Sequence, residues 1–514
     1  MFDTLFRGKR SDRRTREITC LEEYEERAAE SVDREVLDYF RAGAGGGQAM
    51  RLNRSCFDKI RIRPRCLTGV GNRSMAIQVL GSHFKMPIGI GPVPLQKLLS
   101  NDGEKATARA ARSLGAPFIL GALASVSIED IAEAIPKVPK WFQMYIFKDR
   151  ELMENMVRRA EKARFAALVV TVDTPVLGLR KSDLRNPLNV TSKVSYVNFL
   201  PPYNNVCSKN IAEYVKSQFD PTLGWESLKW LIDMTHLPVI VKGILSSEDA
   251  LMAAKMGAKG IIVSNHGGCQ LDSAPASIEV LPEIVEAVGT QCCVMLDGGI
   301  MRGSDVFKAL ALGAQTVFIG RPAMYGLAVG GQSGVEDVLD LLRLELDSVM
   351  ASAGCRTLEH ICGDSVRLES EYLRPRLKIP PRKSIDIAAS CEGDTQSGKL
   401  ITIPFGPPPE TLIPTGEDGL AKDPRGKDAV DDCGIKTSQW SKEVNHVEVV
   451  PMRPPRLTRE VRVVPDVAKV LQRNIKADIA RRDHFVKNKP YRNRAYSMQN
   501  LDSINKMDDV RCSP

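Results

Sequence analysis

The sequence lacks the features that would indicate a membrane protein, a disulfide framework or a zinc site. No uninterrupted apolar stretch approaches membrane-spanning length, and residues 1–10 contain no apolar segment of the length found in signal peptides. The 12 cysteines are scattered and form no CxxC pair. The sequence ends Arg511-Cys512-Ser513-Pro514, without a Ser-Lys-Leu peroxisomal signal. We therefore expect an intracellular protein, cytoplasmic or peroxisomal, with reduced cysteines, no metal site and no membrane span.

Net charge and length alone say little about the partners of this chain. A formal net charge of +8 over 514 residues is a small excess and predicts no nucleic-acid binding. Composition divides the chain into a basic disordered N-terminus over 1–17, a regular domain over 18–378 and a mostly disordered basic tail over 379–514. Within the tail, residues 466–482 place apolar residues four apart, which predicts a short basic helix. That helix is either simply solvated or docks on a partner that the sequence does not identify.

Short apolar runs alternate with segments of helical character through the regular domain. The runs are Pro87–Val93, Pro117–Ala122, Trp141–Phe147, Ala167–Thr174, Pro238–Lys242, Gly260–Ser264, Cys293–Asp297 and Thr316–Gly320. Strands that alternate with helices predict a parallel sheet, and eight such units over roughly 250 residues predict an α/β protein with a (β/α)8 TIM barrel. Leu21–Arg41 is expected to be an N-terminal helical cap, and the insertion at about 176–224 a lid.

A weak internal repeat supports the barrel. Similar alanine-rich segments end at Gly115, Gly257 and Gly313, before the second, sixth and eighth runs. Each is typical of a helix that a C-terminal glycine stops just before the next strand begins.

Polar residues follow the apolar runs at the strand ends, where active sites of this fold form. They are Gln143, Tyr145, Thr171, Asp173, Arg180, Lys242, Ser264, His266, Asp297-Gly298-Gly299 and Gly320-Arg321-Pro322. The glycines and the arginine after the last two strands lie where barrels commonly hold phosphate. His266, at the end of a buried strand, is a candidate general base. Together they predict a phosphate-bearing cofactor, a base and no metal cluster.

Seven short motifs occur in order at these positions. They are Asp38–Ala44, Trp141–Tyr145, Thr171–Pro175, Val241–Gly243, Ser264–Asp272, Asp297–Gly299 and Gly320–Pro322. Over roughly residues 18–375 the chain resembles the family of FMN-dependent 2-hydroxyacid oxidases and dehydrogenases, which includes glycolate oxidase. The resemblance implies FMN as the cofactor, a homotetramer, and oxidation of a small (S)-2-hydroxy acid to the 2-oxo acid, with oxygen reduced to hydrogen peroxide.

The resemblance also implies a role for each site residue. His266 would take the proton of the substrate hydroxyl, and Asp173 would stabilise its imidazolium. Tyr39 and Arg180 would hold the substrate carboxylate, and Tyr145 would bond the substrate oxygen. The residues implied to contact FMN, with Lys242 near flavin N1, are Pro92, Val93, Pro94, Gln143, Thr171, Lys242, Ser264, Asp297, Gly298, Gly299, Gly320 and Arg321.

The chain departs from the family pattern at positions that would bind the substrate and at positions that would bind FMN. Cys269 stands where the motif Ser-Asn-His-Gly-(Gly/Ala)-Arg-Gln-Leu-Asp has an arginine, the second clamp on the substrate carboxylate. Loss of one partner of a buried charge pair costs roughly 2–5 kcal/mol. Near the cofactor, Pro92-Val93-Pro94 replaces Pro-Thr-Ala, Ala122 replaces a serine and Met301 replaces an arginine, while Arg302 and Arg321 remain. Weaker FMN binding is therefore expected.

Two functions stay open on the sequence alone. One is an active FMN-dependent hydroxyacid oxidase with an altered substrate preference. The other is a catalytically weakened or silent flavin barrel that serves as a binding or scaffold protein through its basic tail.

Overall fold

A closed ring of parallel strands forms the centre of the molecule. The computed structural model describes residues 18–181, 194–199 and 211–372, so the expectations for 1–17, for 379–514 and for the helix at 466–482 lie outside the described residues. The strands are β1 (Ile88–Ile90), β2 (Ile119–Gly121), β3 (Trp141–Tyr145), β4 (Ala167–Thr171), β5 (Val239–Ile244), β6 (Gly260–Val263), β7 (Cys293–Asp297) and β8 (Val317–Ile319). They pair in sequence order from β2 to β8, β8 pairs with β1, and a parallel bridge from Ile90 to Phe118 closes the ring. The predicted TIM barrel is confirmed, with each strand inside or overlapping its expected run.

Helices surround the ring. They are α1 (Leu21–Ser31), α2 (Arg34–Arg41), α3 (Gln48–Asp58), α4 (Glu104–Leu114), α5 (Ile128–Ala134), α6 (Arg150–Lys162), α7 (Ile211–Ser217), α8 (Trp225–Met234), α9 (Ser247–Met256), α10 (Ser277–Val288), α11 (Gly303–Ala311), α12 (Arg321–Ala353) and α13 (Glu369–Tyr372). Short strands Ile60–Ile62 and Val366–Leu368 pair antiparallel, as do Ile77–Val79 and Ser82–Phe84. None of the helices among the described residues has the length and apolar character needed to cross a bilayer.

Two details of the helices bear on the predictions. Gly115, Gly257 and Gly313 take left-handed backbone angles, with φ of 68°, 106° and 104°; the first two directly follow α4 and α9, and Gly313 follows α11 after Leu312, so the glycine stops are confirmed. The single helix expected over Leu21–Arg41 is wrong, because Val32 takes an extended conformation (φ −115°, ψ 140°) and separates α1 from α2. A β-branched residue favours this extended backbone.

The inside of the barrel changes character along its length. At the amino end, inward-facing residues such as Trp141, Val169, Ile240, Met295 and Phe318 form a closed apolar layer. The hairpin of Ile77–Val79 and Ser82–Phe84 adds Val79 and Phe84 to this layer. Because strand side chains alternate, the next inward position lies two residues further along each strand. Those positions are Gly121, Gln143, Thr171, Lys242, Ser264, Asp297 and Gly320. The barrel is therefore apolar at one end and polar at the other, where the site forms.

Candidate active site

A cavity of about 510 Å³ opens at the carboxyl ends of the strands. Its volume lies within the roughly 300–1,000 Å³ typical of cofactor and ligand sites. The expected site residues that line it are Tyr39, Pro92, Val93, Pro94, Gln143, Tyr145, Thr171, Arg180, Lys242, His266, Asp297, Gly298, Gly299, Gly320 and Arg321. Asp173 and Ser264 stand directly behind it, bonded to His266 and Lys242. The structure thus brings together every residue that the strand ends suggested.

His266 and Asp173 form a hydrogen-bonded pair at the cavity wall. The Nδ1 atom of His266 lies 2.9 Å from Oδ1 of Asp173. Burial acts to raise the pKa of Asp173, but the neighbouring His266 and Lys242 hold it below its ordinary value. A proton on Nδ1 that is shared with this carboxylate leaves the lone pair of Nε2 as an acceptor. The arrangement is that of an oriented general base.

The turn that presents His266 is held by a network of amides. His266 and Gly267 both have left-handed backbone angles, with φ of 57° and 64°. The backbone N–H of His266 donates to Oγ of Ser264 at 3.0 Å. Asn265 and Asn53 of α3 exchange two side-chain hydrogen bonds, of 2.7 and 2.8 Å. A strained backbone persists only where its surroundings fix it, and here α3 supplies part of that support.

Lys242 places a fixed positive charge on the floor of the cavity. Its Nζ lies 3.1 Å from Oδ2 of Asp297 and donates to Oγ of Ser264 at 3.0 Å. Burial acts to lower the pKa of Lys242, but the charges of Asp297 and Asp173 raise it above its ordinary value. The other oxygen of Asp297, Oδ1, is buried and has no hydrogen-bond partner among the described residues. The ammonium group of Lys242 can therefore stabilise negative charge on a ligand.

The outer wall carries the residues expected to bind substrate. The guanidinium of Arg180 lies over the ring of Tyr39, with its Cζ 5.2 Å from the ring centroid. The phenol of Tyr145 is partly buried, and burial together with the charge of Asp173 raises its pKa, so its hydroxyl remains a donor. Phe219 packs on Tyr145 with ring centroids 5.0 Å apart. Described parts of the 176–224 insertion therefore reach the cavity, while 182–193 and 200–210 lie outside the described residues.

The far end of the cavity is formed by the loops after β7 and β8. A Cβ at Gly299, whose φ is 85°, would lie 1.9 Å from the carbonyl oxygen of Asn53, so no side chain fits there. Gly320 precedes the first turn of α12, and the N-terminus of a helix favours an anion. Arg302, expected nearby, instead pairs with Glu22 at 2.7 Å and does not line the cavity.

Arg321 lines the cavity but directs its guanidinium at the protein. It donates to the carbonyl oxygens of Phe40, Gly267 and Ala42 at 3.0, 2.9 and 2.9 Å. Its Nη2 also lies 3.1 Å from Sγ of Cys269. Four of the five guanidinium N–H groups are thus engaged within the protein. Arg321 ties the end of α2 to the turn that carries His266.

Comparison with known proteins matches this architecture to one family. The family described as FMN-dependent dehydrogenase matches residues 28–368. The chain belongs to this family of FMN-dependent dehydrogenases. It is 43% identical over 357 residues to human 2-hydroxyacid oxidase 1, covering 68% of this chain and 96% of the relative. It is likewise 43% identical over 368 residues to glycolate oxidase 3 of Arabidopsis thaliana, covering 70% and 100%. A solved structure of a soluble mutant of the membrane-associated (S)-mandelate dehydrogenase from Pseudomonas putida superposes with a TM-score of 0.64 at 37% identity, covering 68% of this chain and all of that one.

The cofactor of an FMN-dependent dehydrogenase fits the cavity. A buried lysine lies at one end, where the flavin ring can take up negative charge, and a glycine-lined helix start lies at the other, where a phosphate can bind. The orphaned Oδ1 of Asp297, beside Lys242, offers an acceptor to the ligand. Within 18–181, 194–199 and 211–372, no group of three or more metal-binding side chains is placed to hold an ion.

Sequence reasoning missed the contribution of the N-terminal helices to this dehydrogenase site. Glu25, Arg41, Asn53 and Arg54 line the cavity from α1, α2 and α3, and Tyr325 joins them from α12. Only α1 and α2 belong to the expected cap, and no strand end or motif assigned a role to these five side chains. Their place follows only from how α1, α2, α3 and α12 pack around the mouth of the barrel.

Proposed function

We propose that the protein oxidises an (S)-2-hydroxy acid to the 2-oxo acid, with His266 as the base. The single observation that carries the proposal is the His266–Asp173 pair at 2.9 Å, in the same cavity as the buried cation of Lys242. A base and a cation that stabilises negative charge are the two groups that removal of a hydroxyl proton and transfer of two electrons require.

The proton and the substrate are handled by the chain's own residues. Nε2 of His266 takes the proton of the 2-hydroxyl, and Asp173 stabilises the resulting imidazolium. Arg180 and Tyr39, already in contact, hold the substrate carboxylate, and the protonated hydroxyl of Tyr145 donates to the substrate oxygen. FMN, when bound, supplies the acceptor for the hydrogen and electron pair that leave C2.

Positions along the cavity support a corresponding assignment for the cofactor. Pro92, Val93, Pro94, Gln143, Thr171 and Ser264 line or adjoin the middle of the cavity, Lys242 and Asp297 the floor, and Gly298, Gly299, Gly320 and Arg321 the far end. Gln143 donates from Nε2 to Oγ1 of Thr171 at 2.9 Å, which fixes the amide in one orientation. Its carbonyl oxygen is then the group that it can offer to a ligand.

The substrate class rests on the names of the relatives, and the oxidant, the assembly and the cellular location rest on the family resemblance. The names of the relatives include glycolate, a 2-hydroxyacid and (S)-mandelate, all 2-hydroxy acids. We propose a small member of this class as substrate, oxygen as the final acceptor, a homotetramer, and an intracellular site, cytoplasmic or peroxisomal. Because Cys269 is shorter than arginine, the cavity also has room for a bulkier substituent at C2.

An absorbance spectrum followed by anaerobic addition of substrate tests the proposal. The purified protein should show a flavin spectrum that bleaches with at least one of glycolate, lactate, mandelate or a long-chain hydroxy acid. His266→Asn should keep the flavin and lose the bleaching. A flavin-loaded protein that none of these acids bleaches contradicts the proposal and favours the silent barrel.

A further inference from the structure

Two arginines and a tyrosine surround one carboxylate at the far end of the cavity. Arg54 donates from Nη2 to Oε2 of Glu25 at 2.8 Å, and Nε of Arg41 lies 3.4 Å from Oε1. The hydroxyl of Tyr325 donates to the same Oε1 at 3.3 Å. All four residues line the cavity together with Gly320 and Met301. The group is therefore an anion-binding site that a side chain of the protein itself engages.

The group stands next to the start of α12. Tyr325 lies one helical turn after Arg321, and the guanidinium of Arg41 stacks over its ring at 5.9 Å. Burial and then the charge of Glu25 raise the pKa of Tyr325, so its hydroxyl stays a donor. The N-terminal end of α12 contributes the positive pole of its helix dipole at the same place.

The cations that the loops after β7 and β8 would otherwise offer are missing or engaged. Met301 carries no charge, and Arg302 is paired with Glu22 outside the cavity wall. Four of the five N–H groups of Arg321 donate to other groups of the protein. By contrast, Nε of Arg41 is buried and its nearest acceptor, Oε1 of Glu25 at 3.4 Å, does not complete a hydrogen bond, while Nη2 donates to the carbonyl oxygen of Glu25 at 2.9 Å. A buried donor that is satisfied only by a distant charge is costly, and a ligand oxygen would remove that cost.

We propose that Arg41 and Arg54 are the cations that hold the phosphate of FMN, and that Glu25 competes with the phosphate for them. The inference rests on the proposed placement of FMN in this cavity. A phosphate dianion accepts charge-assisted hydrogen bonds from arginine more strongly than a single carboxylate does. Glu25, about one quarter exposed, can turn toward solvent when it gives up the two guanidinium groups.

The experiment compares FMN with riboflavin, which lacks only the phosphate. Full-length apoprotein is titrated with each flavin, and quenching of flavin fluorescence gives the two dissociation constants. Loss of a charged hydrogen bond predicts that Arg54→Gln and Arg41→Gln each weaken FMN binding roughly tenfold or more. Riboflavin binding should stay unchanged, which also shows that the cavity is folded. Glu25→Gln should strengthen FMN binding several-fold and leave riboflavin unchanged.

Arg302→Gln is the matched control, because it removes an arginine that pairs with the same helix but lies outside the cavity wall. It should leave the ratio of the two dissociation constants unchanged. Arg54 lies on an exposed helix surface, so Arg54→Gln decides the inference by itself if Arg41→Gln does not fold. An unchanged ratio in Arg54→Gln, or weaker FMN binding in Glu25→Gln, overturns it.

The outcome separates this inference from the proposed activity. If the ratio of the FMN and riboflavin dissociation constants responds as expected but no hydroxy acid bleaches the flavin, the phosphate site is supported and the oxidation is contradicted. Bleaching by a hydroxy acid with an unresponsive ratio supports the oxidation and contradicts the phosphate site.

Discussion

The replacement Cys269→Arg tests whether the substrate end of the site lacks a charge. Sγ of Cys269 lies 3.3 Å from the carbonyl oxygen of Ala42, at the cavity wall close to Tyr39. An arginine there can extend into the cavity and meet the substrate carboxylate. A charge-assisted hydrogen bond contributes about 1.5–3 kcal/mol, which corresponds to roughly a tenfold to hundredfold rise in kcat/KM.

The structure adds a cost to this gain. Nη2 of Arg321 lies 3.1 Å from Sγ, so the new guanidinium starts beside an existing one. Two like charges about 5 Å apart at an effective dielectric constant of about 20 repel by roughly 3 kcal/mol. A bound carboxylate relieves that repulsion. The variant should therefore have a lower melting temperature than Cys269→Ala without substrate, and a larger rise in melting temperature with substrate.

The assay is steady-state kcat/KM with glycolate, lactate and mandelate, normalised to bound flavin. Cys269→Ala is the control, since it removes the thiol without adding charge. The gain should be largest for glycolate, because the arginine occupies space that a bulkier acid would use. Equal kcat/KM for Cys269→Arg and Cys269→Ala with all three acids, at equal flavin content, would refute the reasoning.

Four further outcomes are expected. His266→Gln should lower the rate of flavin reduction by roughly 100- to 10,000-fold without loss of flavin, and normal reduction would remove His266 as the base. Because the folded-state pKa of Asp173 is lowered, its contribution to stability is present above the ordinary carboxyl value of about 4 and is lost as pH falls. The melting-temperature advantage over Asp173→Asn should shrink toward about pH 3, and a constant difference would count against stabilisation by the ionised Asp173 carboxylate. Arg180→Lys should raise KM about tenfold more than it lowers kcat, since lysine loses the planar fork, and an unchanged KM would exclude a carboxylate contact. Burial raises the pKa of Cys293 to about 12, so iodoacetamide should modify exposed Cys66 first, as mass spectrometry of peptides would show.

The barrel and its strand-end residues could be predicted because both depend on local rules. Alternation along a strand places Lys242 two residues after buried Ile240, and the carboxyl ends of parallel strands meet at one rim. The side chains at those ends therefore had to share a cavity. The helix stops at Gly115 and Gly257 follow from local backbone conformation in the same way.

The rest could not be predicted because it depends on which remote segments pack together. Asn53 supports the His266 turn from α3, more than 200 residues away in the chain. Nothing local indicates that Arg302 turns to Glu22, or that Arg321 turns to three carbonyl oxygens. The sequence pattern of an arginine next to a phosphate-binding loop is the same whether its guanidinium points into the cavity or toward the protein.

These orientations change the meaning of the two lost arginines. Nη2 of Arg321 lies 3.1 Å from the sulfur of Cys269. At the other end of the cavity, which Met301 lines, Arg41 of α2 and Arg54 of α3 supply positive charge. The cavity also retains the buried Lys242–Asp297 pair. Replacing such a pair by apolar residues is often neutral or stabilising, so stability alone gives no reason to keep it. The unused buried carboxylate oxygen of Asp297 adds a further cost that only a ligand would remove. A site that keeps these costs is better explained by a bound cofactor than by a barrel that holds no ligand.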